Sequence, residues 1–241
     1  MPPSAMTSLA DPDIHVWHAT LALTPDALTD AGRLLPSAER QKTALVASEA
    51  QRARLTLSRA WVRAILSGYL ERPAPDLVIR RSTLGKPIVS TEGDQPPLYF
   101  SVSHSGDHML VAVTRADDVG IDLERLTRMV DPERIAARFF SRAECNALLA
   151  LGPAERADAF FRAWVRKEAV VKALGMGIAS AFDAFSVSLG REEQLEVDVS
   201  KVGKGGRDRL WVRVLDVGRV DYLAAVAFGQ PGAVVRYFEW N

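Results

Sequence analysis

Glu168 and Lys172 stand one helical turn apart in the segment Trp164-Val-Arg-Lys-Glu-Ala-Val-Val-Lys172, on a face where charge is costly. The stretch from Phe160 to Leu174 reads as one helix. At about 100° per residue, Phe160, Phe161, Trp164, Val165, Val171 and Leu174 share a broad apolar arc. Glu168 and Lys172 project from the middle of it, while Arg162 and Arg166 fall on the opposite, solvent side. An ionised carboxylate on a buried face needs compensation, so the pair is either a structural ion pair or part of a site.

A second pair of carboxylates lies in Val119-Gly-Ile-Asp-Leu-Glu124. Val119, Ile121 and Leu123 alternate with Gly120, Asp122 and Glu124, which predicts an extended segment with both carboxylates on one face. Their mutual repulsion is relieved by a cation between them or by water. Carboxylates without nearby Cys or His suit a hard cation, Mg²⁺ foremost, with Glu168 as a third ligand and substrate phosphate completing the shell. The alternative is a solvated acidic strand face.

Ser103-His-Ser-Gly106 follows an expected strand, Leu98–Val102, and reads as a turn whose side chains and N–H groups could take phosphate oxygens. Gly85-Lys-Pro87 is a rigid turn displaying a lysine. Lys42, Arg52, Arg54 and Arg59 lie along the first helical region and could surround a polyanion or simply be solvated. There is no Walker loop, no Rossmann fingerprint and no G-x-S-x-G elbow. His15 and His18 form an isolated pair that suggests neither ligand nor base, and Cys145 reads as packing.

The elements that must position these residues show an internal repeat. Arg-Ala-Trp-Val-Arg occurs at Arg59–Arg63 and at Arg162–Arg166. Ser37-Ala-Glu39 and Arg142-Ala-Glu144 precede the two copies; Asp107-His-Met-Leu-Val-Ala-Val113 and Asp221-Tyr-Leu-Ala-Ala-Val-Ala227 follow them as expected strands. The expected fold is α/β of the α+β kind: two similar halves in one pseudo-two-fold chain, each a helical hairpin with a small antiparallel sheet. The halves would be residues 1–116 and 117–241, with a site at their junction. Aligned on the pentapeptide, Ile65 stands opposite Glu168 and Tyr69 opposite Lys172, so only the second copy carries charge.

Bulk properties exclude several classes. Thirty basic residues balance thirty acidic ones, giving no case for nucleic acid or membrane. No apolar run approaches the roughly 20 residues of a membrane span, and the first fifteen residues lack the pattern of a secretory signal. A single cysteine fits a reducing compartment, so the expected location is cytoplasmic.

Gly120-Ile-Asp-Leu-Glu124 together with Trp164-Val-Arg-Lys-Glu-Ala-Val-Val-Lys-Ala-Leu-Gly175 resembles the paired signature of the 4′-phosphopantetheinyl transferases. Ser103-His-Ser105, Gly85-Lys-Pro87 and Phe139-Phe-Ser-Arg-Ala-Glu144 occupy the places of further family motifs. Length and repeat resemble the long, surfactin-synthetase-activating type, a pseudo-dimer in one chain that acts as a monomer. The resemblance implies an enzyme, a holo-[acyl-carrier-protein] synthase, moving phosphopantetheine from coenzyme A to a serine of an apo acyl or peptidyl carrier protein. It implies Mg²⁺, with Mn²⁺ as an alternative, held by Asp122, Glu124 and Glu168. It gives catalytic roles to Glu168, Lys172 and Asp122, with Glu144 as a further acid–base candidate. Coenzyme A contacts would come from Lys42, Arg54, Gly85, Lys86, Pro87, Ser103, His104, Asp122 and Lys172. Leu45, Glu39 and Gln51 depart from the family's more basic first helical region. A coenzyme A-binding module without catalysis, a Mg²⁺-dependent nucleotide hydrolase and a purely structural domain are the competing classes.

Overall fold

The computed structural model describes residues 9–21, 23–116, 119–126, 131–176, 182–203 and 206–240. The first half runs through β1 (Ile14–Thr20), α1 (Pro25–Leu34), α2 (Ser37–Ala44) and α3 (Glu49–Leu70). A short hairpin of β2 (Ile79–Arg81) and β3 (Pro87–Val89) follows, then β4 (Tyr99–Ser105) and β5 (His108–Thr114). The second half comprises β6 (Val119–Arg125), α4 (Pro132–Phe139), α5 (Arg142–Ala150), α6 (Pro153–Ala173), β7 (Gln194–Asp198), β8 (Arg209–Leu215) and β9 (Tyr222–Phe228). The last strand, β10 (Val235–Trp240), returns to the first sheet.

The internal repeat is visible in three dimensions. The two pentapeptides lie in the long helices α3 and α6, and the two matched apolar runs are β5 and β9. Each half thus packs one long helix on one sheet. The sheets are ordered β10-β1-β5-β4 and β6-β9-β8-β7. Strand alternation sorts their side chains into three cores. Met109, Val111 and Val113 of β5 face α3, joining Leu57, Ile65 and Leu66. Ala225 and Ala227 of β9 face α6, joining Phe160, Val170 and Val171. The intervening residues, Leu110 and Ala112 against Ile121, Ala224 and Val226, pack the backs of the sheets together. The order is therefore helix, sheet, sheet, helix.

Two features depart from the sequence expectation. Strand β10 pairs parallel with β1, in register Ile14 with Val235 through Ala19 with Trp240. Strand β4 extends through Ser105, so Ser103 and His104 belong to a strand, and only Gly106-Asp107 turns the chain into β5. Among the described residues no helix is long and apolar enough to cross a membrane.

Three of the four histidines are buried in the first half. His15 Nδ1 lies 2.7 Å from the Tyr69 hydroxyl, which also accepts from Trp17 Nε1 at 2.8 Å. His18 links His108 (2.9 Å) to Glu239 of β10 (3.0 Å). Burial is the main cause holding His15 and His108 below the usual histidine range. Arg236 acts in the same direction on His15 against Asp13; Arg219 and His18 do so on His108 against Asp107 and Asp221. A histidine depressed on folding binds its proton more readily in the unfolded chain, so its contribution falls as pH drops below about 6.5. Relative to wild type, a His15→Gln/His108→Gln variant should gain melting temperature as pH falls from 7 to 5. A pH-independent difference in calorimetry would refute this.

Candidate active site at the seam between the halves

Strand β6 lies against α6 with almost no space between the backbones. A Cβ on Gly120 would overlap the Ala169 carbonyl and the Ala173 amide nitrogen. Glycine is therefore required by close approach, and Ala169 and Ala173 keep the helix side equally small. The contact places Asp122 and Glu124 beside Glu168 and Lys172, which flank those alanines. Gly120→Ala should cost about 2–4 kcal/mol, because the strand must leave the helix. A variant as stable as wild type in denaturant unfolding would show that the approach is not tight.

Asp122 is buried. Its Oδ1 accepts from Lys172 Nζ at 2.6 Å and from Ser103 Oγ at 2.8 Å. Among the described residues its buried Oδ2 has no hydrogen-bond partner. The charged partner of Lys172 is thus Asp122 from the neighbouring strand, not Glu168 on the same helix. Glu168 is 6% exposed, and its carboxyl is raised to about 7, first by burial, then by Asp122 and Glu124, against the opposing pull of Lys172. Glu124 is also raised, by burial and by Asp122, while a hydrogen bond from Ser105 and the Lys172 charge act against this. Three carboxylates and one ammonium therefore share a poorly hydrated neighbourhood. Glu168 is poised to exchange a proton near neutral pH.

A cleft of about 340 Å³ opens next to this cluster. It is lined by Arg81, Gly85, Lys86 and Pro87 from the β2–β3 hairpin, Ser101 from β4, and Lys172 and Gly175 from the end of α6. Gly85 has φ +90, a left-handed conformation that suits glycine and turns the hairpin back. Lys86 follows, with Nζ 3.2 Å from the carbonyls of Val119 and Ala173. Three cationic side chains thus meet in one cleft between the halves.

The structure gathers Gly85, Lys86, Pro87, Ser103, Asp122, Glu124, Glu168 and Lys172 into one region. The Ser103 hydroxyl is engaged with Asp122 and Lys172. His104 is exposed on β4, Lys42 is exposed on α2, and neither lines the cleft. Arg54 also lies outside the lining, bonded to the Gly106 carbonyl (2.5 Å) and Asp107 (2.6 Å). Arg81 lines the cleft although the sequence did not single it out; its only signal was its position just before the Gly85-Lys-Pro87 turn.

Two sequence expectations are corrected. Glu144 is 2% exposed, and both oxygens accept from Lys167 Nζ at 2.9 Å. It also accepts from the backbone amides of Ser141 and Val187, so it staples α5 to α6 and is no acid–base group. Arg166 does not face solvent. It is fully buried, donating to the carbonyls of Ser188 and Glu192 in the segment that covers that side of α6.

Among the described residues no three His, Cys, Asp or Glu side chains converge into a metal cage. The donor set nevertheless fits a hard cation that takes few protein ligands. It is all carboxylate oxygen, and Asp122 Oδ2 is an orphaned acceptor. Mg²⁺ characteristically uses one or two carboxylates and completes its shell with water and substrate phosphate.

Comparison with known proteins gives the family. The model of the 4′-phosphopantetheinyl transferase superfamily matches residues 118–227, and that of the 4′-phosphopantetheinyl transferase N-terminal region matches residues 19–116. The chain belongs to the 4′-phosphopantetheinyl transferase superfamily. It is 35% identical over 177 residues to the 4′-phosphopantetheinyl transferase HetI of Nostoc sp., covering 73% of this chain and 74% of that one. The 4′-phosphopantetheinyl transferase Sfp of Bacillus subtilis is 33% identical over 146 residues, covering 61% and 62%. AcpT of Escherichia coli K12, another 4′-phosphopantetheinyl transferase, is 33% identical over 135 residues, covering 56% and 65%.

Proposed function

We propose that this protein transfers the 4′-phosphopantetheine arm of coenzyme A to a serine of an apo acyl or peptidyl carrier protein and releases adenosine 3′,5′-bisphosphate. The observation that carries this reading is the Asp122–Lys172 pair beside Glu168, set at the mouth of a cationic cleft between the two halves. The cleft suits a polyanion, with Lys86 and Arg81 toward the nucleotide. His104 would meet its 3′-phosphate, with Arg54 and Lys42 adding positive charge at that end.

The carrier serine oxygen attacks the β-phosphorus of coenzyme A. The new phosphorus–oxygen bond forms as the bond to the departing bisphosphate breaks. Glu168 accepts the serine proton, and its elevated pKa makes it an effective base near neutrality. Lys172 meets the charge growing on the leaving oxygen. Asp122 and Glu124 would hold Mg²⁺ or Mn²⁺, which supplies charge neutralisation at the pyrophosphate. Ser103 keeps Asp122 oriented by donating to Oδ1. Both matched halves lie in one chain, so a monomer is sufficient.

The test is intact-protein mass spectrometry of apo carrier proteins incubated with this protein, coenzyme A and Mg²⁺. A phosphopantetheine mass gain abolished by chelator is expected. Glu124→Ala should remove the gain while leaving the far-ultraviolet circular dichroism intact. Cleavage of coenzyme A without a carrier would instead make the protein a hydrolase.

A further inference from the structure

Strand β4 carries Ser101, Ser103 and Ser105 at alternate positions, so their side chains share one face. That face meets β6, and each hydroxyl touches it. Ser101 Oγ accepts from the Ile121 amide at 3.1 Å, Ser103 Oγ donates to Asp122, and Ser105 Oγ accepts from the Arg125 amide at 3.0 Å. The two sheets are joined here by a row of hydroxyls.

Ser105 has a second contact. Its Oγ lies 3.1 Å from Glu124 Oε2. A hydroxyl has one proton to give. The Arg125 amide occupies an acceptor position on Ser105, and the proton is directed to Glu124. The opposing element also fixes the geometry, since β4 and β6 are each paired on their other side, with β5 and β9. Glu124, whose backbone belongs to the second half and which also takes a hydrogen bond from Trp164 of α6, is therefore held in part by a residue of the first half. Nothing in the sequence motifs distinguishes this serine from a neighbour of His104.

We propose that Ser105 is a positioning residue for Glu124: its hydroxyl orients one carboxylate oxygen, presents the carboxylate to a divalent cation, and couples the alignment of the halves to the site. This rests on the transferase reading above. The geometry makes Ser105 act through Glu124 only, because its hydroxyl is committed to Glu124 and the Arg125 amide.

Ser105→Ala and Ser105→Thr test the proposal. A hydrogen bond to a charged group is worth about 1.5–3 kcal/mol, so Ser105→Ala should lower kcat about 10- to 100-fold with little change in KM for coenzyme A. Mn²⁺ affinity, read by electron paramagnetic resonance on the full protein with coenzyme A, should weaken at least several-fold. Ser105→Thr retains the hydroxyl and should restore both readouts. Wild-type kcat and Mn²⁺ affinity in Ser105→Ala would overturn the proposal. So would equal losses in both variants accompanied by a lower melting temperature, which would mark a merely structural serine. Failure of the wild type to modify any carrier would remove the transferase reading instead, and the Mn²⁺ comparison would still decide whether Ser105 organises Glu124.

Discussion

Glu168→Gln is expected to yield a protein that is more stable than wild type above neutral pH and nearly inactive. Folding raises the Glu168 carboxyl from its ordinary range to about 7. A carboxyl raised on folding contributes stability that is fully present below the unfolded pKa near 4.5. That stability is lost as pH rises through the folded value. At pH 8 the folded protein carries an ionised carboxylate that burial and two neighbouring carboxylates oppose. Glutamine has no charge to desolvate. The gain should reach about 2–3 kcal/mol, or very roughly 4–12 °C in melting temperature for a chain of this size. The difference from wild type should shrink toward pH 5. Transfer should fall by about 10²–10⁴, the usual yield of a general base. Calorimetry across this pH range, paired with turnover, separates the possibilities. A variant destabilised at pH 8 would return Glu168 to a structural role.

Lys172→Ala should affect catalysis more than binding. Its ammonium is the charged partner of Asp122 Oδ1, and that aspartate already has one buried oxygen without a partner among the described residues. Loss of the ammonium should cost about 1–3 kcal/mol. That is less than for a fully buried pair, because the Lys172 side chain is 29% exposed. It should lower kcat by about 10²–10³, because the charge serves the leaving oxygen. KM for coenzyme A should change far less, since Arg81 and Lys86 also line the cleft. Lys172 also pulls the Glu168 pKa down, so the acidic limb of the pH–rate profile should shift upward in the variant. Unchanged kcat with a raised KM would assign the lysine to uniform binding.

These two side chains could be found in sequence because their placement is local. Alternation along β6 puts Asp122 and Glu124 on one face, and the helical repeat puts Glu168 one turn from Lys172. The internal repeat supplied the contrast. In α3, Ile65 is wholly buried and Tyr69 is a core anchor for His15 and Trp17, where α6 has its charged pair. Partners distant in sequence were harder to see. A helical wheel puts Arg166 on the solvent side because it cannot know that residues 188–192 fold over it. Glu144 looked free for chemistry until Lys167 proved to be its counterion. Ser103 and Ser105 looked like turn residues because their acceptors and donors on β6 lie about twenty positions further on. The surround of a polyanion was the least legible part. Of the residues expected to meet it, Gly85, Lys86, Pro87 and Lys172 line the cleft, whereas Lys42, Arg54 and His104 do not.

The pairing of β10 with β1 has a consequence for how the chain is born. Everything needed for the first sheet except its outer strand leaves the ribosome before the second half is made. Until residues 235–240 emerge, β1 is an open edge, with unpaired backbone groups available to another nascent chain. Residues 235–240 therefore close the first half. A truncation that removes them should be felt on the translating ribosome, as an exposed edge and a tendency to cross-associate, before it is felt in the finished molecule.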